Sequence, residues 1–238
     1  MIEAFLTDGL AALGLTDRVP PEAVSRLDQY AQLLLEKNQV MNLTAITEPE
    51  QVARLHMLDC AALLNLADFS GKRLADVGTG AGFPGLPLKI LVPSLDVSLL
   101  DALGKRVDWL SETCGALGLS GVRAIHCRAE EQARLPGFRE SFDLVTARAV
   151  AALPVLCELC LPFVKTGGSF LAMKSVDSQQ ELDGAKRALE LLGGQVSDVK
   201  DYAIPGTEVT HRLIVVKKIF STPVKYPRMY AKIKKNPL

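Results

Sequence analysis

Aromatic side chains make up only 5% of this 238-residue chain, and just one of them is Trp. That scarcity argues against a stacking platform for single-stranded bases. There are three His, and no spacing of Cys and His completes a zinc site. Cys157-Glu-Leu-Cys160 has the C-x-x-C form but lies inside a helical pattern, without a second pair or a nearby His. No metal is expected. The five cysteines are odd in number, which excludes a complete disulfide framework; buried, reduced thiols are the expectation. No apolar run reaches the roughly eighteen residues that cross a bilayer. The N-terminus lacks the basic flank, apolar core and small-residue cleavage site of a secretory signal. These absences predict a cytoplasmic protein with no membrane partner. Net charge is also missing, with 27 basic and 27 acidic residues, yet the balance is uneven. Seven basic and no acidic side chains fall between Lys217 and Leu238, so an acidic body carries a basic tail. Such a tail suits phosphates, or is simply solvated.

What is present centres on Arg73-Leu-Ala-Asp-Val-Gly-Thr-Gly-Ala-Gly-Phe-Pro-Gly-Leu-Pro-Leu88. The apolar run Leu74, Ala75, Val77 reads as a buried strand that turns through Gly78, Gly80 and Gly82 into a helix start. Three glycines remove the Cβ atoms that would keep a ligand off the backbone. The following helix would turn its free N–H groups toward that ligand. Asp76 adds a carboxylate at the strand tip. A dinucleotide fingerprint wants a third glycine where Phe83 stands, and no Gly-Lys-Ser/Thr follows as a P-loop requires. Asp-x-Gly-x-Gly-x-Gly looks instead like the first motif of Rossmann-like methyltransferases that use S-adenosylmethionine. A carboxylate suits the ammonium and sulfonium of that cofactor.

Strands are expected near 73–77, 97–101, 122–126, 142–147 and 168–174. Helices fall between them, near 84–91, 104–118, 151–164 and 178–193, and extended runs follow at 195–204 and 209–219. This alternation predicts an α/β fold of class I methyltransferase type: a mostly parallel seven-stranded sheet closed by an antiparallel hairpin. Residues 1–70 read as an N-terminal helical extension, 71–220 as the Rossmann-like domain and 221–238 as the basic tail. In the extension, Thr47 and Glu50 have the spacing of a capping box. His56, Asp59 and Cys60 share one face of the helix that follows.

Further candidates sit at strand ends. Asp101 closes the second strand, where an acidic residue meets ribose hydroxyls in Rossmann-type sheets; the alternative is a helix N-cap. Arg128-Ala-Glu-Glu131 follows the third strand, near where an adenine would lie. Arg148 leaves the fourth strand where amino-methylating enzymes carry Asn-Pro-Pro-Tyr, which is absent here. Its guanidinium could hold a phosphate or a base carbonyl. Lys174, Arg123 and Arg212 are possible phosphate contacts. No general base is evident, which suits guanine N7: that atom has a lone pair and no proton to lose.

Asn42-Leu-Thr-Ala-Ile-Thr47, His56-x-x-Asp59, Asp76-Val-Gly-Thr-Gly-Ala-Gly-Phe-Pro-Gly-Leu-Pro-Leu88, Thr146-Ala-Arg-Ala149 and Tyr226-Pro-Arg228 occur in that order. Together they resemble the glucose-inhibited division protein B family over nearly the whole chain. The resemblance implies methylation of guanine N7 in 16S ribosomal RNA (guanine 527, in the 530 loop), with RNA or the small subunit as substrate; a monomer is expected. It places S-adenosylmethionine against Gly78, Phe83, Ala129, Glu130 and Arg148, with Asp76 and Asp101 at the loop and ribose positions. Asn42, His56, Asp59 and Lys174 become pocket or RNA-side residues. Cys60 departs from the family's usual Ser, and Met229-Tyr230 from its small or basic residues. The competing classes are an NAD-dependent oxidoreductase and a non-enzymatic ribosome-assembly protein with a vestigial fold.

Overall fold

A computed structural model describes residues 2–148 and 150–238. The chain opens with α1 (Glu3–Ala12) and α2 (Ala23–Met41). A continuous helical stretch follows: α3 (Pro49–Val52), a π-helical turn (Ala53–Leu58), α4 (Asp59–Ala62) and a 3-10 turn (Leu63–Asn65). Then come β1 (Arg73–Val77), α5 (Gly85–Leu91), β2 (Asp96–Asp101), α6 (Gly104–Ala116), β3 (Val122–His126), α7 (Ala129–Gln132) and β4 (Phe142–Arg148). The second half runs α8 (Leu153–Cys160), β5 (Val164–Ser175), α9 (Gln179–Gly184), α10 (Lys186–Leu192), β6 (Gly194–Ala203), β7 (Thr210–Lys218) and α11 (Tyr230–Lys235).

The seven strands form one sheet in the order β3-β2-β1-β4-β5-β7-β6. The first five are parallel, and β7 is antiparallel to both neighbours. The expected parallel sheet with a closing hairpin is therefore present. Alternation along the strands sends Leu74, Leu99 and Leu144 to one face and Ala75, Leu100 and Val145 to the other. The first face is covered by α5, α6 and the helices of residues 2–64, in one continuous core. The second is covered by α8, α10 and the C-terminal segment, which buries Tyr226 and Ile233. Strand order reverses between β1 and β4, and the crevice at such a switch point is where open α/β sheets bind ligands.

Local departures from the expected elements have local causes. The helix expected over 151–164 is α8 plus a 3-10 turn at Leu161–Phe163, because Pro162 cannot continue the α pattern. The helix expected over 178–193 divides after Gly184 into α9 and α10. The expected capping box does not form: Glu48 takes the N-cap position without a side-chain cap, and Pro49 fills the first turn. Glu50 instead pairs with Arg54 at 2.8 Å. The basic tail is docked, not loose. Arg228 grips the fully buried Glu158 (Nη2 to Oε2, 2.7 Å), and Arg139 donates to the carbonyls of Thr222 and Tyr226. No helix among the described residues is long and apolar enough to cross a membrane.

Candidate active site

The loop after β1 is fastened from beneath. Gly78 and Thr79 both donate backbone N–H bonds to Leu100 O, at 2.9 and 3.0 Å. Asp76 does not face the ligand side; it is fully enclosed under the turn. Its Oδ2 accepts from Thr79 Oγ1 (2.6 Å) and Gly85 N (3.0 Å), and its Oδ1 from Thr146 Oγ1 (3.0 Å). Burial raises its pKa, opposed by those three bonds. Asp101 fastens the loop from the side: Oδ2 accepts Gly80 N and Oδ1 accepts Leu103 N, each at 2.9 Å. Its second bond is the N-cap-like contact weighed as the alternative to ribose. From the opposite flank, Tyr30 of α2 donates its hydroxyl to Ala81 O, so the N-terminal helices help to shape the turn.

Two glycines are required by this geometry. Gly78 has φ +69°, and a Cβ there would stand 2.8 Å from Val150 Cγ2. Gly82 has φ +100°, and its Cβ would meet the Tyr30 hydroxyl at 2.8 Å. Beside Gly78 lies a recess of about 100 Å³, lined by Asp101, Arg128, Ala129, Glu130 and Val150 among others. Glu130 is buried, 3.3 Å from Arg128 Nε.

Arg148, at the end of β4, is the centre of a buried polar cluster. Its Nη1 donates to Asp59 Oδ2 at 3.0 Å and to Leu55 O at 3.3 Å. Its guanidinium lies 4.7 Å from the centroid of the Phe83 ring, on which His56 also stacks, at 4.5 Å. Arg148 Nη2 sits 3.2 Å from His56 Nδ1, and since arginine can only donate, Nδ1 is the acceptor. His56 Nε2 then carries the hydrogen and donates it to Thr44 Oγ1 at 2.8 Å. Burial, reinforced by Arg148, lowers the His56 pKa to about 4, so the ring is neutral. His56 and Asp59 are thus brought together through Arg148.

Asp59 is fully buried and serves three donors. Besides Arg148, Tyr202 Oη and His211 Nδ1 reach its Oδ1 at 2.9 and 2.8 Å. Burial acts to raise its pKa, but the bonds from His211 and Tyr202 and the Arg148 charge outweigh it and hold the pKa below the usual carboxylate value. Beyond this cluster opens a second cavity of about 390 Å³, whose polar lining is His56, Asp59, Arg148, Lys174, Glu181 and His211 with Ser175. Lys174 pairs with Glu181 (2.6 Å) and donates to Ala151 O (2.7 Å), bracing the segment that leaves β4.

Other sequence candidates lie elsewhere. Asn42 is exposed at the left-handed C-cap of α2, and Asn38 one turn earlier holds the loop by accepting from Leu43 N and Thr44 N. Arg123 points to Ser98, near the start of β3 and away from the crevice. Arg212 is held by both oxygens of Asp201. Thr44, Tyr202 and His211 were not singled out by sequence reasoning. Thr44 lay inside a quoted motif, whereas the other two meet Asp59 only through the fold.

A glycine turn at the sheet's switch point, an acidic second-strand tip and a polar cavity beside the fourth strand define a class I, S-adenosylmethionine-dependent methyltransferase. Solved structures agree in fold. TrmN from Thermus thermophilus is 27% identical, with a TM-score of 0.51 over 67% of this chain and 48% of that one. The precorrin-6y C5,15-methyltransferase from Geobacter metallireducens is 16% identical, with a TM-score of 0.51 over 75% of this chain and 92% of that one. The family model described as GidB, rRNA small subunit methyltransferase G, matches residues 23–210. Ribosomal RNA small subunit methyltransferase G of Acetivibrio thermocellus is 43% identical over all of this chain and 97% of its own length. The Desulfitobacterium hafniense protein of the same name is 48% identical over 91% of this chain and 90% of its own. The chain belongs to the rRNA small subunit methyltransferase G family.

Proposed function

We propose that the chain transfers a methyl group from S-adenosylmethionine to N7 of a guanine in 16S ribosomal RNA, guanine 527 of the 530 loop. The observation that carries this reading is the pair of hollows divided by the exit of β4. Arg148 lines the larger one and Val150 the smaller one. One side offers a backbone cradle for a nucleoside, and the other offers room for a single base.

The residues fit that cofactor. Gly78 presents bare backbone to the recess, Asp101 stands at the second-strand tip where ribose hydroxyls are met, and Ala129 and Glu130 line the adenine end. Gly80 and Gly82 shape the turn, Asp76 braces it from beneath, and the Phe83 ring carries Arg148. Val150 stands over Gly78, so room for the whole cofactor requires that side chain to move aside. When bound, S-adenosylmethionine supplies an electrophilic methyl carbon.

The chain's own groups have to orient the base and balance its charge. N7 attacks with its lone pair, so no residue has to remove a proton. The neutral His56 and the ionised Asp59 hold Arg148 over the Phe83 ring, to donate to the carbonyl edge of the base or to a phosphate. The Glu181 carboxylate lines the same cavity, paired with Lys174. Lys174 holds Glu181 and the segment after β4, and Asn42 belongs to the loop that sets Thr44 on His56. Lys232, Lys234 and Lys235 on α11 are exposed and supply phosphate contacts for the RNA. The reading includes a monomeric, cytoplasmic enzyme.

Arg148→Lys keeps the charge and removes the planar fork. Methyl transfer from labelled cofactor to small-subunit RNA should fall at least about tenfold, with the melting temperature little changed. Unaltered turnover would remove Arg148 from the reaction.

A further inference from the structure

The cavity beside Arg148 holds one ring whose outward nitrogen is unaccounted for. His211 stands at the second position of β7, opposite Ser175 on β5 and Tyr202 on β6. Its Nδ1 is committed to Asp59 Oδ1 at 2.8 Å. Asp59 is an ionised carboxylate that also accepts from Arg148 and Tyr202, so it has no hydrogen to give, and Nδ1 must carry the shared one. Tyr202 packs edge-on against the ring at 6.2 Å and limits its rotation. With Nδ1 turned to the buried carboxylate, Nε2 is the nitrogen left on the cavity side. It makes no hydrogen bond among the described residues, although His211 lines the cavity and its side chain is 31% exposed.

We propose that His211 Nε2 is a base-reading group, accepting a hydrogen bond from an N–H on the Watson–Crick edge of the guanine in this cavity. The inference rests on the methyltransferase reading above and adds a specificity residue to it. The cavity, at about 390 Å³, admits one base turned out of its strand but not a helix. Guanine with N7 toward the cofactor carries its N1–H and amino hydrogens on the far edge, and adenine presents a bare acceptor at N1. A fixed acceptor on the wall opposite the cofactor therefore favours guanine. Arg148 neutralises Asp59, and Lys174 and Glu181 neutralise each other across the cavity. The bond to Asp59 takes the Nδ1 hydrogen, so accepting from the base falls to the lone pair of Nε2. The Asp59 bond fixes the tautomer that places the lone pair there.

The test exploits the lengths of the two amide side chains. In His211→Asn the amide nitrogen replaces Nδ1, keeping the Asp59 bond and removing the cavity acceptor. In His211→Gln the amide reaches the Nε2 position and keeps an acceptor there. Wild-type chain is first shown to methylate unmodified small-subunit RNA; failure at that stage would overturn the methyltransferase reading as a whole. The variants are then compared for kcat/KM on the same RNA, for S-adenosylmethionine affinity and for melting temperature. His211→Asn should lose about tenfold or more in kcat/KM, with cofactor affinity and melting temperature unchanged. His211→Gln should retain activity within a few-fold of wild type. The proposal is overturned if His211→Asn is as active as wild type, for then the ring acts only through Asp59. It is equally overturned if His211→Gln loses as much as His211→Asn.

Discussion

Acidification should destabilise this chain through the buried His56. In the unfolded chain the imidazole titrates near its ordinary value of about 6.5. In the fold, burial and the neighbouring Arg148 lower the pKa to about 4. The folded chain therefore binds fewer protons in that interval, and stability rises with pH across it. The His56 contribution is complete above about 6.5 and is lost as pH falls toward about 4. A shift of that width corresponds to about 3 kcal/mol, a large share of a typical domain's stability. The geometry gives the loss a location. A second proton would go onto Nδ1, which now accepts from Arg148 Nη2 at 3.2 Å, and would set two cations face to face. His56→Gln carries no titrating group and can still reach Thr44. Urea unfolding of both proteins at half-unit steps from pH 7.5 to 4 measures the difference. Wild type should fall by about 3 kcal/mol more than the variant between pH 6.5 and 4. Parallel curves for the two proteins would refute the buried neutral ring and the hydrogen-bond chain derived from it.

Four further outcomes follow from the structure. Asp59→Asn removes the charge that balances Arg148 while leaving the guanidinium half-buried; unfolding free energy should drop by about 3 kcal/mol, read by urea titration at pH 7. Gly78→Ala asks for a side chain at φ +69° and within 2.8 Å of Val150; cofactor affinity by calorimetry should fall at least about tenfold, and retained affinity would show that the ligand does not approach this backbone. Arg228→Ala strands the fully buried Glu158 and should lower the melting temperature by several degrees. By contrast, joint replacement of Lys232, Lys234 and Lys235 by Gln should leave melting unchanged and flatten the salt dependence of RNA binding.

The fold was legible because short apolar runs alternate with helical stretches and the glycines mark where β1 turns. Proline and glycine positions account for the differences in α8 and α9–α10. In the site, His56, Asp59 and Arg148 were legible from a helical spacing and a strand end, since each criterion is local. Tyr202 and His211 were not, because the carboxylate they serve lies 143 and 152 residues earlier in the chain. No spacing rule connects them, and only the closing hairpin brings them over α4. Asp76 shows the reverse case. Its place at a strand tip suggested a ligand-facing carboxylate, whereas Thr79, Gly85 and Thr146 enclose it as a brace for the turn. Sequence position located that residue but could not say which way its oxygens face.

The central claim is tested most directly by methyl transfer from labelled S-adenosylmethionine to small-subunit RNA lacking the modification. Free RNA and assembled particles are run side by side, and the product is mapped by N7-specific strand cleavage. The expected result is one N7-methylguanine per RNA, at guanine 527 in the 530 loop, lost in Arg148→Lys. Label at another base or another atom, or no transfer from a protein that binds the cofactor, would contradict it.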